Sequence, residues 1–304
     1  MFKNVIIYTL SGAPGLSAAV LETALQRARF IPCAPTQPSS HGWVPPRGVE
    51  HGALVESVGG QLLLKLAIEQ KALPAEVVKR RTEELAKQVE QETGRKPGRR
   101  QTKELKEQAE LELLPLAFTK RSAVRLWIDP HAQRLVIDSS SPARAEEAIT
   151  ALVKAVDGFA VGAQHTAMSP AAAMSHWLAS GEPPAGFSVD RECELKSADE
   201  MRSIVRYGRH PLDIDEVREH IAAGKAPTKL ALTWEGRVSF VLTDTLQLKK
   251  LSFLGVVFEK RGIEDEDAFD ADMAILTGEL RCLLPDLIEA LGGIPQASSF
   301  REAA

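Results

Sequence analysis

The sequence predicts an α+β fold of several small subdomains, with mixed and antiparallel sheets and a projecting helical hairpin. Three observations carry this. Short β-prone runs and amphipathic helices alternate without the strand–helix–strand rhythm of a parallel sheet. Between Pro74 and Phe118, apolar residues recur at heptad-like spacing on both sides of a Gly- and Pro-containing break. Near the C-terminal end, Phe269, Met273, Leu276, Leu280, Leu283, Leu284, Leu287 and Leu291 follow a 3.6-residue period. The expected division is an N-terminal α+β part of the body at 1–72, a finger at 73–120, and an α+β remainder at 121–304.

The elements follow in order. Val5 to Leu10 is a short strand, and Ser17 caps a helix through Arg29 that turns Leu21 and Leu25 to one face. Residues 31–52, rich in Pro, Gly and Ser, read as a loop anchored by Trp43, and Gln61 to Ile68 as a strand. Pro74 sits in the first turn of a helix, where its missing N–H costs nothing. Val78, Leu85 and Val89 line that helix, and Leu105, Ala109, Leu113 and Leu116 line a second. Thr93-Gly-Arg-Lys-Pro-Gly-Arg-Arg100 breaks the two apart, giving an antiparallel hairpin. An arm of about 18 residues projects about 27 Å at ~1.5 Å per residue.

Strands at Ala123–Asp129 and Arg134–Asp138, joined at Pro130-His131, precede a helix from Pro142 to Val156 with Ile149, Leu152, Val153 and Val156 inward. Ser169-Pro170 opens a helix through Leu178, and Phe187–Leu195 has strand character. Asp213 caps a helix that Gly224 ends. Thr228 to Phe253 reads as a meander turning at Glu235-Gly236 and Asp244-Thr245. The final helix stops at Gly292-Gly293, with a frayed tail after Pro295. A strand hairpin followed by a helix occurs twice, at 123–156 and 228–291, a hint of pseudo-symmetry.

Composition narrows the function. The 304 residues carry a net charge of −4, so the chain is not uniformly basic, and a nucleic-acid reading has to rest on how charge is distributed. From Thr93 to Lys106 six basic residues (Arg95, Lys96, Arg99, Arg100, Lys103, Lys106) face one acidic residue, Glu104. From Arg261 onward three basic residues face ten acidic ones. A basic projection on an acidic body can hold a polyanion in one orientation, although a solvated tip without a partner would carry the same residues. Arg202, Arg206, Arg209 and His210 form a second basic group on what reads as a loop before Pro211.

Signatures of catalysis are sparse. The sequence contains no GxxxxGK[ST], GxGxxG or HExxH motif, and Gly12-Ala-Pro-Gly15 lacks the lysine of a phosphate loop. Cys33, Cys193 and Cys282 lie far apart, so neither a zinc ribbon nor a CxxC motif is present. His41 and His51 have no further ligand at metal-binding spacing. Glu264-Asp-Glu-Asp267 could bind Mg²⁺, but acidic residues are also favoured at a helix N-terminus. The expectation is a protein that is not an enzyme and needs no cofactor and no metal. No signal segment or membrane-length apolar run is read, so the cytosol is expected.

Several segments together resemble the recombination-associated protein RdgC family. They are Phe30-Ile-Pro-Cys33 with Gly42-Trp-Val-Pro-Pro46, Glu112-Leu-Leu-Pro-Leu-Ala-Phe118 and Leu126-Trp-Ile-Asp129. Gly224-Lys225 running into Thr228-Lys-Leu-Ala-Leu-Thr-Trp234, and Leu276-Thr-Gly-Glu-Leu280, complete the set across nearly the whole chain. The resemblance implies a ring-shaped homodimer, closed by two self-complementary contacts, that encircles double-stranded DNA without sequence preference. It further implies nucleoid association in the cytoplasm and antagonism of the RecA recombinase through occupancy of its DNA. Position by position, it makes Phe118 the aromatic of the dimer gate. Arg209 and His210 become a basic–polar pair, and Lys225 a lysine near the DNA-facing surface. Leu116 departs from the family pattern where a basic residue is expected, and Pro211 alters the context of the Arg209-His210 pair. The DNA-binding set expected from charge and resemblance together is Arg95, Lys96, Arg99, Arg100, Lys103, Arg206, Arg209, His210 and Lys225. Two other readings stay open at this point: a protein–protein interaction module that ignores DNA, and a Mg²⁺-dependent hydrolase built on the carboxylates near 264–272.

Overall fold

The strand-forming runs all join one sheet. The computed structural model describes residues 1–12, 15–199, 202–258 and 268–295. In chain order its first elements are β1 (Val5–Leu10), α1 (Ala18–Gln26), β2 (Ser39–Trp43), β3 (Val55–Val58) and β4 (Gln61–Lys71). The finger follows as α2 (Ala75–Thr93) and α3 (Arg99–Leu113), closed by a 3₁₀ turn at Leu114–Leu116. Then come β5 (Thr119–Asp129), β6 (Arg134–Asp138), α4 (Pro142–Ala155), β7 (Val161–Ala163) and α5 (Pro170–Ser180). The remainder is β8 (Phe187–Ser197), β9 (Ile204–Gly208), α6 (Asp215–Ala222), β10 (Lys225–Trp234), β11 (Val238–Thr243), β12 (Gln247–Phe253), α7 (Gly255–Phe258) and α8 (Ala268–Ala290).

The twelve strands run in the order β2-β4-β5-β6-β1-β12-β11-β10-β8-β9, with β3 on β4 and β7 on β1. Of the expected mixed and antiparallel sheets in several small subdomains, the antiparallel pairing holds throughout these strands, while the division into separate sheets is corrected to one. The reason is β1. It pairs with β6 on one side and β12 on the other, and so welds the two hairpin-then-helix runs into one surface.

Strand alternation divides the apolar residues between two cores. Val5, Ile7, Leu63, Trp127 and Val136 face a core completed by Trp177 of α5 and Leu276, Leu280, Leu283 and Leu287 of α8. Ile6, Leu62, Leu64, Leu126, Ile128 and Ile137 face a second core with Leu21, Leu25, Trp43, Ala148 and Leu152. Trp43 is buried as expected, but it ends a strand inside the segment that reads as a loop.

Local chemistry explains most element ends. Ser17 Oγ accepts from Val20 N–H, and Ser169 Oγ accepts from Ala172 N–H, each at 3.3 Å, so both serines cap their helices. Glu235 and Gly236 both have positive φ, as the tight turn between β10 and β11 requires. Gly292 and Gly293, also at positive φ, end α8 with N–H bonds back to Glu289 and Ile288.

Other expectations are corrected. α1 stops at Gln26, because Arg29 leaves the helix to bridge Trp43. Pro74 is the N-cap of α2, one position earlier than a first-turn site. Asp213 does not cap α6; Ile214 holds that position, and Asp213 pairs with Arg218. Val153 is exposed, because α4 seats its alanines Ala145, Ala148 and Ala151 with Leu152 on the sheet and turns the valine out. The acidic run at 264–267 and the tail after Pro295 lie outside the described residues.

Candidate nucleic-acid interface

The finger grows from the end of the β4–β5 pair. Lys71 pairs with Thr119 in that ladder, and Lys71 Nζ donates to the carbonyl of Leu114 at 2.8 Å, tying the finger's base to its strand. α2 has 19 residues and α3 has 15, so the longer helix spans about 28 Å at ~1.5 Å per residue. Their contact is thin. Leu85, Leu105 and Ala109 form its buried cluster, with Ala86 and Val89 packed beside it. Gly94, at φ 70°, closes α2 by donating its N–H to the Glu90 carbonyl, and Gly98 starts α3 without a side-chain cap.

Charge changes sign along α3. Arg95, Lys96, Arg99, Arg100 and Lys103 are exposed at the tip. Arg100 pairs with Glu104 at 3.3 Å and Lys103 with Glu107 at 3.9 Å, both through strongly exposed side chains. Such pairs contribute little against water and open readily for a stronger anion. Arg95, Lys96 and Arg99 have no carboxylate partner among the described residues. Toward the end of α3, Glu107, Glu110 and Glu112 reverse the sign, while Lys79, Arg80 and Arg81 near the start of α2 stand at the same base, where Arg81 bridges Glu84 and Glu112 at 3.0 and 2.8 Å.

This polarity opposes helix stability. The N-terminus of a helix favours negative charge and its C-terminus positive charge. α3 instead begins with Arg99 and Arg100, has no acidic residue in its first turn, and has no basic residue in its last. The cations therefore stand beside uncapped N–H groups, an arrangement that suits phosphate.

At the finger's base, Phe118 is 88% exposed and Leu116 79%. Pro115 lies in the 3₁₀ turn that ends the helical run, and the Phe118 carbonyl bonds Ala72 N–H at 2.8 Å. Phe118 thus points away from the body, whereas Leu116, read as part of the buried stripe, does not join it. The stripe fades at Leu113, which is half-buried, because the helix ends there. Exposed Leu111, and Ile31 near the same sheet end, were not anticipated; an apolar residue reads alike whether covered or bare.

The second basic group lies elsewhere. Residues 204–208, read as loop, are the edge strand β9 on β8. Arg206 is bound to Glu194 at 2.7 Å, and Glu194 also takes Lys229 at 3.0 Å and the Thr228 hydroxyl at 2.7 Å. Burial disfavours ionising Glu194, but Arg206, Thr228 and Lys229 overcome it and hold its pKa at about 2. Arg209 adopts φ 56°, and His210 stacks at a tilt on Tyr207 with centroids 5.9 Å apart. Lys225 opens β10 with its ammonium 3.2 Å from His220 Nδ1. Seven strand spacings separate β5 from β9, about 34 Å along the sheet at ~4.8 Å each. Within one chain, then, the strand from which the finger grows and the Arg209–His210 pair lie far apart in the sheet. Among the described residues no three His, Cys, Asp or Glu side chains gather where they could hold a metal ion.

A family model described as "Putative exonuclease, RdgC" matches residues 1–294. The chain belongs to the RdgC family. Recombination-associated protein RdgC of Dechloromonas aromatica is 46% identical over 298 residues, covering 96% of this chain and 97% of that protein. The protein of the same name from Cupriavidus necator is 46% identical over 295 residues, covering 96% and 98%. That of Herminiimonas arsenicoxydans is 44% identical with the same coverage. The RdgC match runs through the finger and both halves of the sheet.

Proposed function

We propose that this protein binds duplex DNA without sequence preference, encircling it as a homodimer, and limits the access of RecA to it. The observation that carries the proposal is the finger tip, where exposed cations crowd a helix start that they destabilise. Charge placed against the helix dipole serves something other than the helix, and a phosphate backbone supplies the missing anions. No base-reading geometry is needed for this, because phosphate contacts position a protein without conveying sequence. Exposed Phe118 supports the dimer, as an aromatic anchor for a self-complementary contact. The names of the relatives support a role in recombination, exercised at the nucleoid by occupying DNA rather than by transforming it. Among the described residues no helix is long and apolar enough to cross a membrane.

Fluorescence titration against two unrelated duplexes of equal length tests the reading. Equal affinities that fall together with added salt support it; strong preference for one sequence, or no binding, refutes it.

The description of the matching family favours a second reading, an exonuclease. End-labelled duplex incubated with protein and Mg²⁺ separates the two. Release of mononucleotides in proportion to enzyme would establish the nuclease, whereas the binding reading expects the duplex to be recovered intact.

A further inference from the structure

β8 outruns its neighbour. β9 pairs with it only from Glu192 to Lys196, because Arg209, at φ 56°, turns the chain away after Gly208. The His210 N–H makes the last bond between them, to the Arg191 carbonyl at 3.1 Å. On its other side β8 stays paired with β10 down to Phe187, opposite Trp234. Residues 187–191 are therefore held as strand along one edge and lie beyond β9 along the other.

The Glu235 N–H donates to the Gly186 carbonyl at 2.8 Å, which sets the phase of this stretch. Ser188 then turns its backbone groups to β10, and Phe187 and Val189 turn theirs outward. The Phe187 N–H is taken by the Pro184 carbonyl at 3.0 Å. No turn, loop or side-chain hydrogen bond among the described residues reaches the N–H or the carbonyl of Val189.

Beside this bare edge lies a pocket of about 360 Å³. Trp177, Leu178, Val189 and Leu212 supply its apolar walls, with Pro183 and Pro211 at the rim. Two carboxylates line it and both are engaged: Asp190 accepts from the Thr233 hydroxyl at 2.8 Å, and Asp213 pairs with Arg218. Arg191, on the same rim, is exposed and has no carboxylate partner among the described residues.

From this we infer that the bare edge of β8 takes an extended peptide of another protein, added antiparallel as a short strand. Its anchor is an apolar side chain in the pocket, and an acidic residue meets Arg191. Three features select that occupant. A strand edge with outward backbone groups pairs with another backbone. In antiparallel pairing the residue opposite Val189 exchanges both backbone bonds with it, and paired residues share a face of the sheet. Val189 packs into the core of Trp177, Leu178 and Leu212, so its opposite number enters the same pocket. Finally, the rim charge left unpaired among the described residues is positive. Arg191 lies two residues beyond Val189, so the acidic residue stands two positions before the anchor. The inference stands apart from duplex binding at the finger.

Fluorescence anisotropy on the full chain tests it, with labelled, capped hexapeptides Ser-Glu-Val-X-Val-Ser in which X is Leu, Phe or Trp. At least one should bind saturably, and methylating the backbone nitrogen of X should weaken it about fivefold or more by removing the donor to Val189. Arg191→Glu should weaken the Glu peptide and bind its Lys counterpart better than the parent does, an exchange that a damaged fold would not produce. Absence of saturable binding by all three peptides, binding that survives methylation, or equal weakening of the Glu and Lys peptides would each overturn the inference. Two other occupants would overturn it as well. An oligothymidylate that binds the parent but not Arg191→Glu, where no peptide binds, would give the edge to nucleic acid. Self-association lost on sedimentation of Arg191→Glu, again without peptide binding, would give it to a second copy.

Discussion

Glu194 shows what a single side chain does in this sheet. It lies nearly buried between β9 and β10, bonded to Arg206, Thr228 and Lys229, and its pKa is held at about 2. A carboxylate with a depressed folded-state pKa stabilises the fold above its ordinary value and loses that contribution as pH falls through the depressed one. Stability should therefore decline from about pH 4.5 toward pH 2. In Glu194→Gln that part of the decline should be missing, as acid titration followed by circular dichroism would reveal. Leu280 lies at the opposite extreme of chemistry, fully buried in the α8 stripe. Leu280→Ala should cost about 2–5 kcal/mol in denaturant unfolding, through lost transfer energy and a residual cavity. Phe118→Ala removes a larger side chain from water rather than from a core. It should change monomer stability by less than about 0.5 kcal/mol, yet loosen the grip on circular duplex under salt challenge. Circular plasmid retained as firmly as by the parent would contradict a gate at Phe118.

At the scale of elements, the finger shows charge working against structure. Reversing Arg99 to Glu should strengthen α3 by about 0.3–1 kcal/mol, since it would then complement the dipole and stand one turn from Lys103. Amide exchange in residues 99–113 should slow in that variant while duplex binding falls; faster exchange would contradict the electrostatic account of the helix. The finger was legible in sequence because its signals are local: a repeated apolar spacing and a turn that no helix tolerates. β9 was not. Its five residues sit between Arg202 and Pro211 among polar neighbours, and pairing with β8, not propensity, makes them a strand. β2 was hidden in the same way, as Ser-Ser-His-Gly-Trp extends only because β4 offers it an edge. Val153 was misplaced because alanines define the buried face of α4, and alanine gives a weak apolar signal.

For the whole molecule, the two cores follow from long-range pairing that no window of sequence contains. β1 meets partners more than a hundred residues away on both sides, Ile6 with Ile137 and Val5 with Leu248. That one strand turns separate hairpins into a twelve-stranded sheet, with the finger near one end and an open strand at the other. Of the expected contact residues, the finger-tip set stands together, and Arg206 is spoken for by Glu194. The roles expected of Phe118 and Lys225 come from the family resemblance, since neither spacing nor composition assigns them. Sheet and finger together make one electrostatic claim: phosphates are held by the tip. Duplex affinity measured across a salt series, for the parent and for Arg99→Ala combined with Arg100→Ala, tests it most directly. Log affinity should fall linearly with log salt, at about −0.9 per phosphate neutralised. The variant should show a slope shallower by about 1–2 and a similar loss on every sequence. An unchanged slope would place the DNA contact somewhere other than the finger.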